Sequence, residues 1–163
     1  MSEKITDIRF GGIKRLYGHQ QFDWLQEAHF CVVGIGGVGS WAAEALARTG
    51  LGRITLIDLD DICATNVNRQ IHALSGTIGH AKVDAMKARC ELINPECNID
   101  VIDDFITLEN IKEHIHGFDY VIDCIDAVKE KAALIAHCKR NKMPIITTGG
   151  AGGQTDPGQI TFG

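Results

Sequence analysis

Apolar residues along this chain fall into two kinds of stretch that alternate. Short continuous runs, such as Phe30-Cys31-Val32-Val33, Ile54-Thr55-Leu56-Ile57 and Tyr120-Val121-Ile122, are rich in β-branched residues and end in glycine or aspartate. A run apolar on every residue buries both faces of a strand, which is the signature of a parallel sheet. This pattern predicts strands over 29–33, 54–58, 98–103, 120–126, 144–148 and 159–162. Between them, helices are predicted over 38–48, 82–93 and 128–141, with Gly50 as a left-handed cap on the first and Pro95 closing the second. A weaker helix start lies at Thr107, where Leu108, Ile111 and Ile115 form an apolar stripe. Before the first strand, glycines interrupt helical fragments around Phe10-Gly11-Gly12, and a short helix is predicted over 20–27.

Strands alternating with helices give an α/β class, a three-layer, Rossmann-like, mostly parallel sheet with helices on both faces. The sharpest local signal is Val33-Gly34-Ile35-Gly36-Gly37-Val38-Gly39, where an apolar strand turns abruptly into glycines and then a helix. Gly34 permits a tight turn, Gly36 lets a phosphate approach the backbone, and Gly39 lets helix and strand pack closely. The free N–H groups and dipole of the following helix favour an anion. Such a fingerprint fits NAD, FAD and ATP alike. Asp58 ends the second strand 19 residues beyond Gly39, within reach of ribose hydroxyls, with Asp60 and Asp61 beside it.

The residues after Asp58 favour ATP. Asn66-Val67-Asn68-Arg69-Gln70 is a polar cluster, and Lys82 stands in the first turn of a helix, where the dipole disfavours a cation. Lys82 therefore needs a negative partner, and a polyphosphate would supply one. A dinucleotide pyrophosphate is served by backbone N–H groups, whereas a triphosphate calls for Arg, Lys and a metal. Asp126, just past the fourth strand, shares the carboxyl-end rim with Gly36 and Asp58 and is the candidate magnesium ligand. A second glycine stretch, Gly149-Gly150-Ala151-Gly152-Gly153, falls on the same rim.

Composition narrows the class without changing this picture. The 163 residues are 45% hydrophobic and 23% charged, as in an ordinary globular domain. A formal charge of −5 argues against a surface that is basic overall, so a nucleic acid would have to meet a local patch. The densest basic stretch, Lys129 to Lys142, is expected to be a solvated face. Six scattered cysteines without a Cys-x-x-Cys pair suggest reduced thiols. Neither a signal peptide core nor a membrane span is visible in the pattern, so a cytoplasmic enzyme is expected, with no membrane partner.

Taken in order, Gly34-x-Gly36-Gly37-x-Gly39, Asp58-x-Asp60, Asn66-x-x-Arg69-Gln70, Lys82 and Asp123-x-x-Asp126 resemble the adenylation domain of the ubiquitin-activating-like superfamily, which includes the molybdopterin- and thiamine-pathway sulfur-carrier adenylyltransferases. The stretches Arg9-Phe10-Gly11-Gly12, Gly39-Ser40-Trp41-Ala42-Ala43-Glu44, Asn68-Arg69-Gln70-Ile71-His72-Ala73-Leu74 and 147–154 resemble its branch that dehydrates threonylcarbamoyladenosine in tRNA. The resemblance implies an N-terminal helical arm over 1–28 and an ATP-binding adenylation domain over 29–163 that continues, in the family, past Phe162. It implies that Asp58 holds the ATP ribose and that Asn66, Arg69 and Lys82 hold phosphates. The nucleotide-binding set is then Gly34, Gly36, Gly37, Gly39, Asp58, Asp60, Asn66, Arg69 and Lys82, with Arg69, Lys82 and Asp126 catalytic and Asp126 the magnesium ligand. The implied cofactors are ATP and magnesium. The implied partner is tRNA, or a ubiquitin-like sulfur carrier in the sister branch, on a homodimer when full length. A second N-terminal arginine usual in the sulfur-carrier members is replaced by Gly12, and Arg9 or Arg15 is the remaining candidate to reach ATP. On the fold alone, an NAD-dependent oxidoreductase stays open.

Overall fold

The computed structural model describes residues 5–149 and 155–161. Two helices, α1 (Ile5–Tyr17) and α2 (His19–Glu27), lead into β1 (His29–Val33), α3 (Gly39–Thr49), β2 (Arg53–Ile57), α4 (Lys82–Ile93), β3 (Asn98–Ile102), the single turn α5 (Ile111–His114), β4 (Tyr120–Asp123), α6 (Val128–Arg140) and β5 (Ile145–Thr147). The strands form one five-stranded sheet in the order β3-β2-β1-β4-β5, and every neighbouring pair is parallel.

Alternation along the strands makes two cores. On β1, Val32 faces one side with Ile54 and Leu56 of β2, packed under α3 and α4 through Ala43, Ala47, Val83 and Met86. Cys31 and Val33 face the other side, with Val121 of β4, against Leu134 and Cys138 of α6. Helices therefore cover both faces, as the continuous apolar runs require. α3 ends at Gly50 with φ 84°, and there α1 and α2 close over it: a Cβ on Gly50 would lie 3.0 Å from both Phe10 and Phe22.

Four sequence expectations need correction. Gly11-Gly12 does not interrupt α1, because buried Phe10, packed on Phe22, ties that helix to the body and overrides the low glycine propensity. β4 stops at Asp123 rather than 126, because the Asp123 carboxylate takes the Ile125 N–H at 3.0 Å and turns the chain out of the sheet. Thr107 and Asn110 bond each other reciprocally, Thr107 N–H to Asn110 Oδ1 at 2.8 Å and Asn110 N–H to Thr107 Oγ1 at 3.3 Å, so 107–110 is a turn and the helix starts at Ile111. Where a last strand was expected, Pro157–Gln159 forms a 3-10 turn capped by Asp156, and neither Ile160 nor Thr161 joins a sheet. Phe162 and most of the second glycine stretch, 150–153, lie outside the described residues.

Candidate active site

The connection from β1 leads to β2 on one side, while β4 lies on β1's other side, so the strand order reverses between β1 and β4. A crevice outside the carboxyl ends at such a reversal is where open α/β sheets bind ligands. Here it is a cleft of about 1060 Å³.

Its floor is the glycine turn. Gly34 has φ 88°, and a Cβ there would press on the Cys124 carbonyl oxygen at 3.0 Å. A Cβ on Gly39 would lie 1.7 Å from the Gly34 carbonyl oxygen, so only glycine lets α3 start this close to β1. Gly36 has only Gln70 within 4.0 Å of such an atom, leaving its backbone open to the cleft, and Gly37 is roofed by the Arg69 side chain at 3.3 Å.

Asp58 braces this floor. Its Oδ2 accepts the Ile35 N–H at 2.6 Å and its Oδ1 accepts the Asp60 N–H at 2.9 Å, with the carboxylate buried. Buried Lys82, the first residue of α4, donates to Asp60 Oδ2 at 2.6 Å and lies 4.0 Å from Asp58 Oδ1. The negative partner that its helix position demands is thus supplied from within the chain. The polyphosphate is not needed to explain Lys82, which corrects that step of the sequence argument. Asn66 closes a 3-10 turn by accepting the Cys63 N–H at 2.9 Å. Arg69 is exposed; its Nη1 reaches the Thr65 carbonyl at 3.2 Å and Asn68 Oδ1 at 3.1 Å, and it has no carboxylate partner among the described residues.

Across the cleft, Asp126 is exposed on the loop between β4 and α6, without a hydrogen bond or ion pair among the described residues. Beneath it Asp123, fully buried, pairs with Lys131 Nζ at 2.7 Å. Lys131 also donates to the Thr148 carbonyl at 3.1 Å, while the Thr148 N–H donates to the Asp123 carbonyl at 2.9 Å, so the loops after β4 and β5 are tied together.

The cleft therefore gathers Gly34, Gly36, Gly37, Asp58, Asp60, Asn66, Arg69, Lys82 and Asp126, and Gly39 lies buried behind its floor. Arg9 does not join them: it donates to the Ile93 carbonyl at 2.6 Å, at the end of α4 opposite Lys82. Sequence reasoning missed two contributors to the cleft and a buried histidine close to Lys82. Asp104-Phe105-Ile106-Thr107, after β3, walls the cleft; the parallel-sheet rule puts every β-strand's carboxyl end on this rim, and that was the available signal. Gln70, in the polar cluster but given no role, is buried in the cleft wall with no hydrogen-bond partner for Oε1 among the described residues. His72, buried with neither ring nitrogen partnered among the described residues, is pushed down to about 4 by burial and then by the nearby charge of Lys82. Burial also raises the thiols of Cys90 and Cys97, each to about 12, so neither is a thiolate near neutrality.

The profile of the ThiF family matches residues 12–161. The chain belongs to the ThiF family. Among its relatives is the tRNA threonylcarbamoyladenosine dehydratase of Escherichia coli, 60% identical over 164 residues, covering 98% of this chain and 61% of that protein. The enzyme of the same name from Haemophilus influenzae is 63% identical over 153 residues, 93% of this chain and 59% of that protein. A crystal structure of the Escherichia coli enzyme in complex with ATP superposes with a TM-score of 0.95 at 59% identity, covering 99% of this chain and 67% of that one. The chain thus spans about three-fifths of the length of these curated relatives. Among the described residues no helix is long and apolar enough to cross a membrane.

Proposed function

We propose that this ThiF-family chain carries the nucleotide-binding part of an enzyme that activates a carboxylate by adenylation, and that the carboxylate is the threonylcarbamoyl group on a tRNA adenosine. The observation that carries the reading is a cleft in which an open glycine backbone, a braced acid and two cations converge beside a carboxylate that has no partner among the described residues. The likeness at 59% identity to an ATP-bound dehydratase supports ATP as the nucleotide.

In this reading Gly36 and Gly37 receive phosphates on their backbone, and Asp58 is the acid nearest a ribose. Apolar Val33, Ile57 and Ile106 on the cleft wall suit a purine. Arg69 and Lys82 stabilise charge that builds on the departing pyrophosphate, with Lys82 shared between Asp60 and the phosphates. No group of three His, Cys, Asp or Glu that could hold a metal occurs among the described residues. Free Asp126 fits a magnesium ion only if phosphate oxygens and water complete its shell, which is how magnesium is commonly held. Magnesium would supply Lewis-acid charge neutralisation at the phosphates.

The substrate carboxylate oxygen attacks the α-phosphorus, the bond to the β-phosphate oxygen breaks, and an acyl-adenylate and pyrophosphate form. An internal nucleophile of the threonylcarbamoyl group then attacks the acyl carbon and expels AMP, which leaves with the former carboxylate oxygen. The net change in the substrate is a cyclisation with loss of water. The same reading takes residues 1–28 as a helical arm, 29–163 as the adenylation domain, and the intact protein as a cytoplasmic homodimer.

The test is pyrophosphate exchange into ATP by the intact protein, offered threonylcarbamoyl-modified tRNA or a ubiquitin-like sulfur carrier. Exchange with the tRNA, reduced at least about a hundredfold by Asp126→Ala, is the expected result. Exchange driven only by the carrier overturns the substrate, and heat stabilisation by NAD rather than by ATP with magnesium overturns the adenylation.

A further inference from the structure

Next to the cleft, bonded to its lining residue Arg69, stands an aromatic side chain that the reaction as described does not use. Trp41, in the first turn of α3, is 54% exposed, unusual for so large an apolar surface. It is held in one place nonetheless: its indole N–H donates to the Arg69 carbonyl at 2.9 Å. Helical side chains lean toward the helix N-terminus, which turns this ring toward the glycine floor. Val38, one turn before it, lines the cleft and is 39% exposed, and the Arg69 side chain lies over Gly37. A hydrogen-bonded, half-exposed indole thus stands beside an exposed guanidinium that has no carboxylate partner among the described residues and lies over Gly37 of the cleft floor.

We propose that Trp41 is the stacking platform for a nucleobase of the RNA substrate, beside the Arg69 that serves the phosphates. Single-stranded bases are recognised by stacking on aromatic rings and guanidinium planes, and a ring whose polar edge is already bonded loses little freedom when a base covers it. The chain carries a net charge of −5, so RNA must be met locally, and here an exposed ring stands beside an exposed guanidinium at the edge of the cleft. The inference rests on the tRNA-adenylation reading and adds to it the surface that receives the base.

Two substitutions in the intact protein, Trp41→Ala and Trp41→Phe, separate stacking from a role as a prop for Arg69. At one fixed salt concentration, Trp41→Ala is expected to weaken binding of threonylcarbamoyl-modified tRNA about tenfold with ATP affinity unchanged, and Trp41→Phe, which keeps a ring but loses the N–H, to retain most of the tRNA affinity. With every other tryptophan of the intact protein replaced by Phe, Trp24 among them, Trp41 emission is expected to be quenched by the tRNA and not by ATP. Unchanged tRNA affinity in Trp41→Ala overturns the proposal, as does loss of ATP affinity in both variants with tRNA binding intact, the mark of a prop. If the unsubstituted protein binds a sulfur-carrier tail and no tRNA, the substrate reading fails first and takes this inference with it.

Discussion

On the β2 side of the cleft the lining acids Asp58 and Asp60 and the buried cation are engaged within the chain, whereas on the β4 side the lining acid Asp126 has no partner among the described residues. Asp58 holds the Ile35 and Asp60 N–H groups, and Asp60 holds Lys82. Across the cleft the buried pair is Asp123 with Lys131, one layer down, and Asp126 stands above it without a hydrogen bond or ion pair among the described residues. The two sides thus divide the work differently. The β2 side is a finished cradle whose ligand contacts have to be shared with existing bonds; the β4 side keeps its structural charge below and its available charge on top. Acids of the same type, on the same rim, differ in availability because of what the backbone next to them needs.

The largest effect is expected from breaking the β4 side. Lys131→Met keeps the aliphatic length but leaves Asp123 buried and uncompensated, and loosens the link to the Thr148 carbonyl. Removing one partner of a buried pair costs about 3–5 kcal/mol, which a urea midpoint would register directly. A loss below about 1 kcal/mol would mean that Asp123 takes up a proton or water instead, and that the two sides are less different than their geometry.

The β2 side has its own weak point, which is acid. His72 packs neutral near Lys82, with a folded value of about 4 against 6.5 for a free imidazole. The unfolded chain takes up this proton as pH falls through 6.5, while the folded chain resists until about 4. Stability is therefore lost between those values on the acid side and does not change on this account above them. At pH 5 the loss from this residue is about 2 kcal/mol. Comparing urea midpoints at pH 7.5 and pH 5 for the natural chain and for His72→Phe checks it; an equal acid loss in both would move the effect elsewhere.

Much of this contrast could be seen in the sequence, and the part that could not has a physical cause. The first strand was legible to the residue and β2 and β3 to within one, because a run apolar on both faces has few other uses. The glycine turn was legible because Gly34 and Gly39 do what no other residue can at φ 88° and at 1.7 Å from a carbonyl. The end of β4 was not, because Cys124 and Ile125 continue the apolar run while the Asp123 side chain, not any residue type nearby, turns the chain. Nor was the partner of Lys82, since Asp60 is 22 residues away and only the path of the connecting loop brings it to 2.6 Å. The wall at 104–107 carries no motif of its own and could be placed only through the rule that the carboxyl ends of parallel strands share one rim.

That unexpected pair supplies the finest test of the comparison. If the β2 side is a cradle whose bonds must be shared, Asp60 competes with an incoming phosphate for Lys82. Asp60 is half-exposed, with 54% of its side chain accessible, so its pairing with Lys82 contributes modestly, about 1 kcal/mol or less. Asp60→Asn keeps the side chain's size and a hydrogen-bonding oxygen while removing the competing charge, and Lys82 still has Asp58 Oδ1 at 4.0 Å. ATP is then expected to bind about threefold tighter, by calorimetric titration, with the urea midpoint almost unmoved. Weaker binding would mean that Asp60 touches the nucleotide itself, as the family resemblance implies, and that this side of the cleft, like the other, leaves an acid for its ligand.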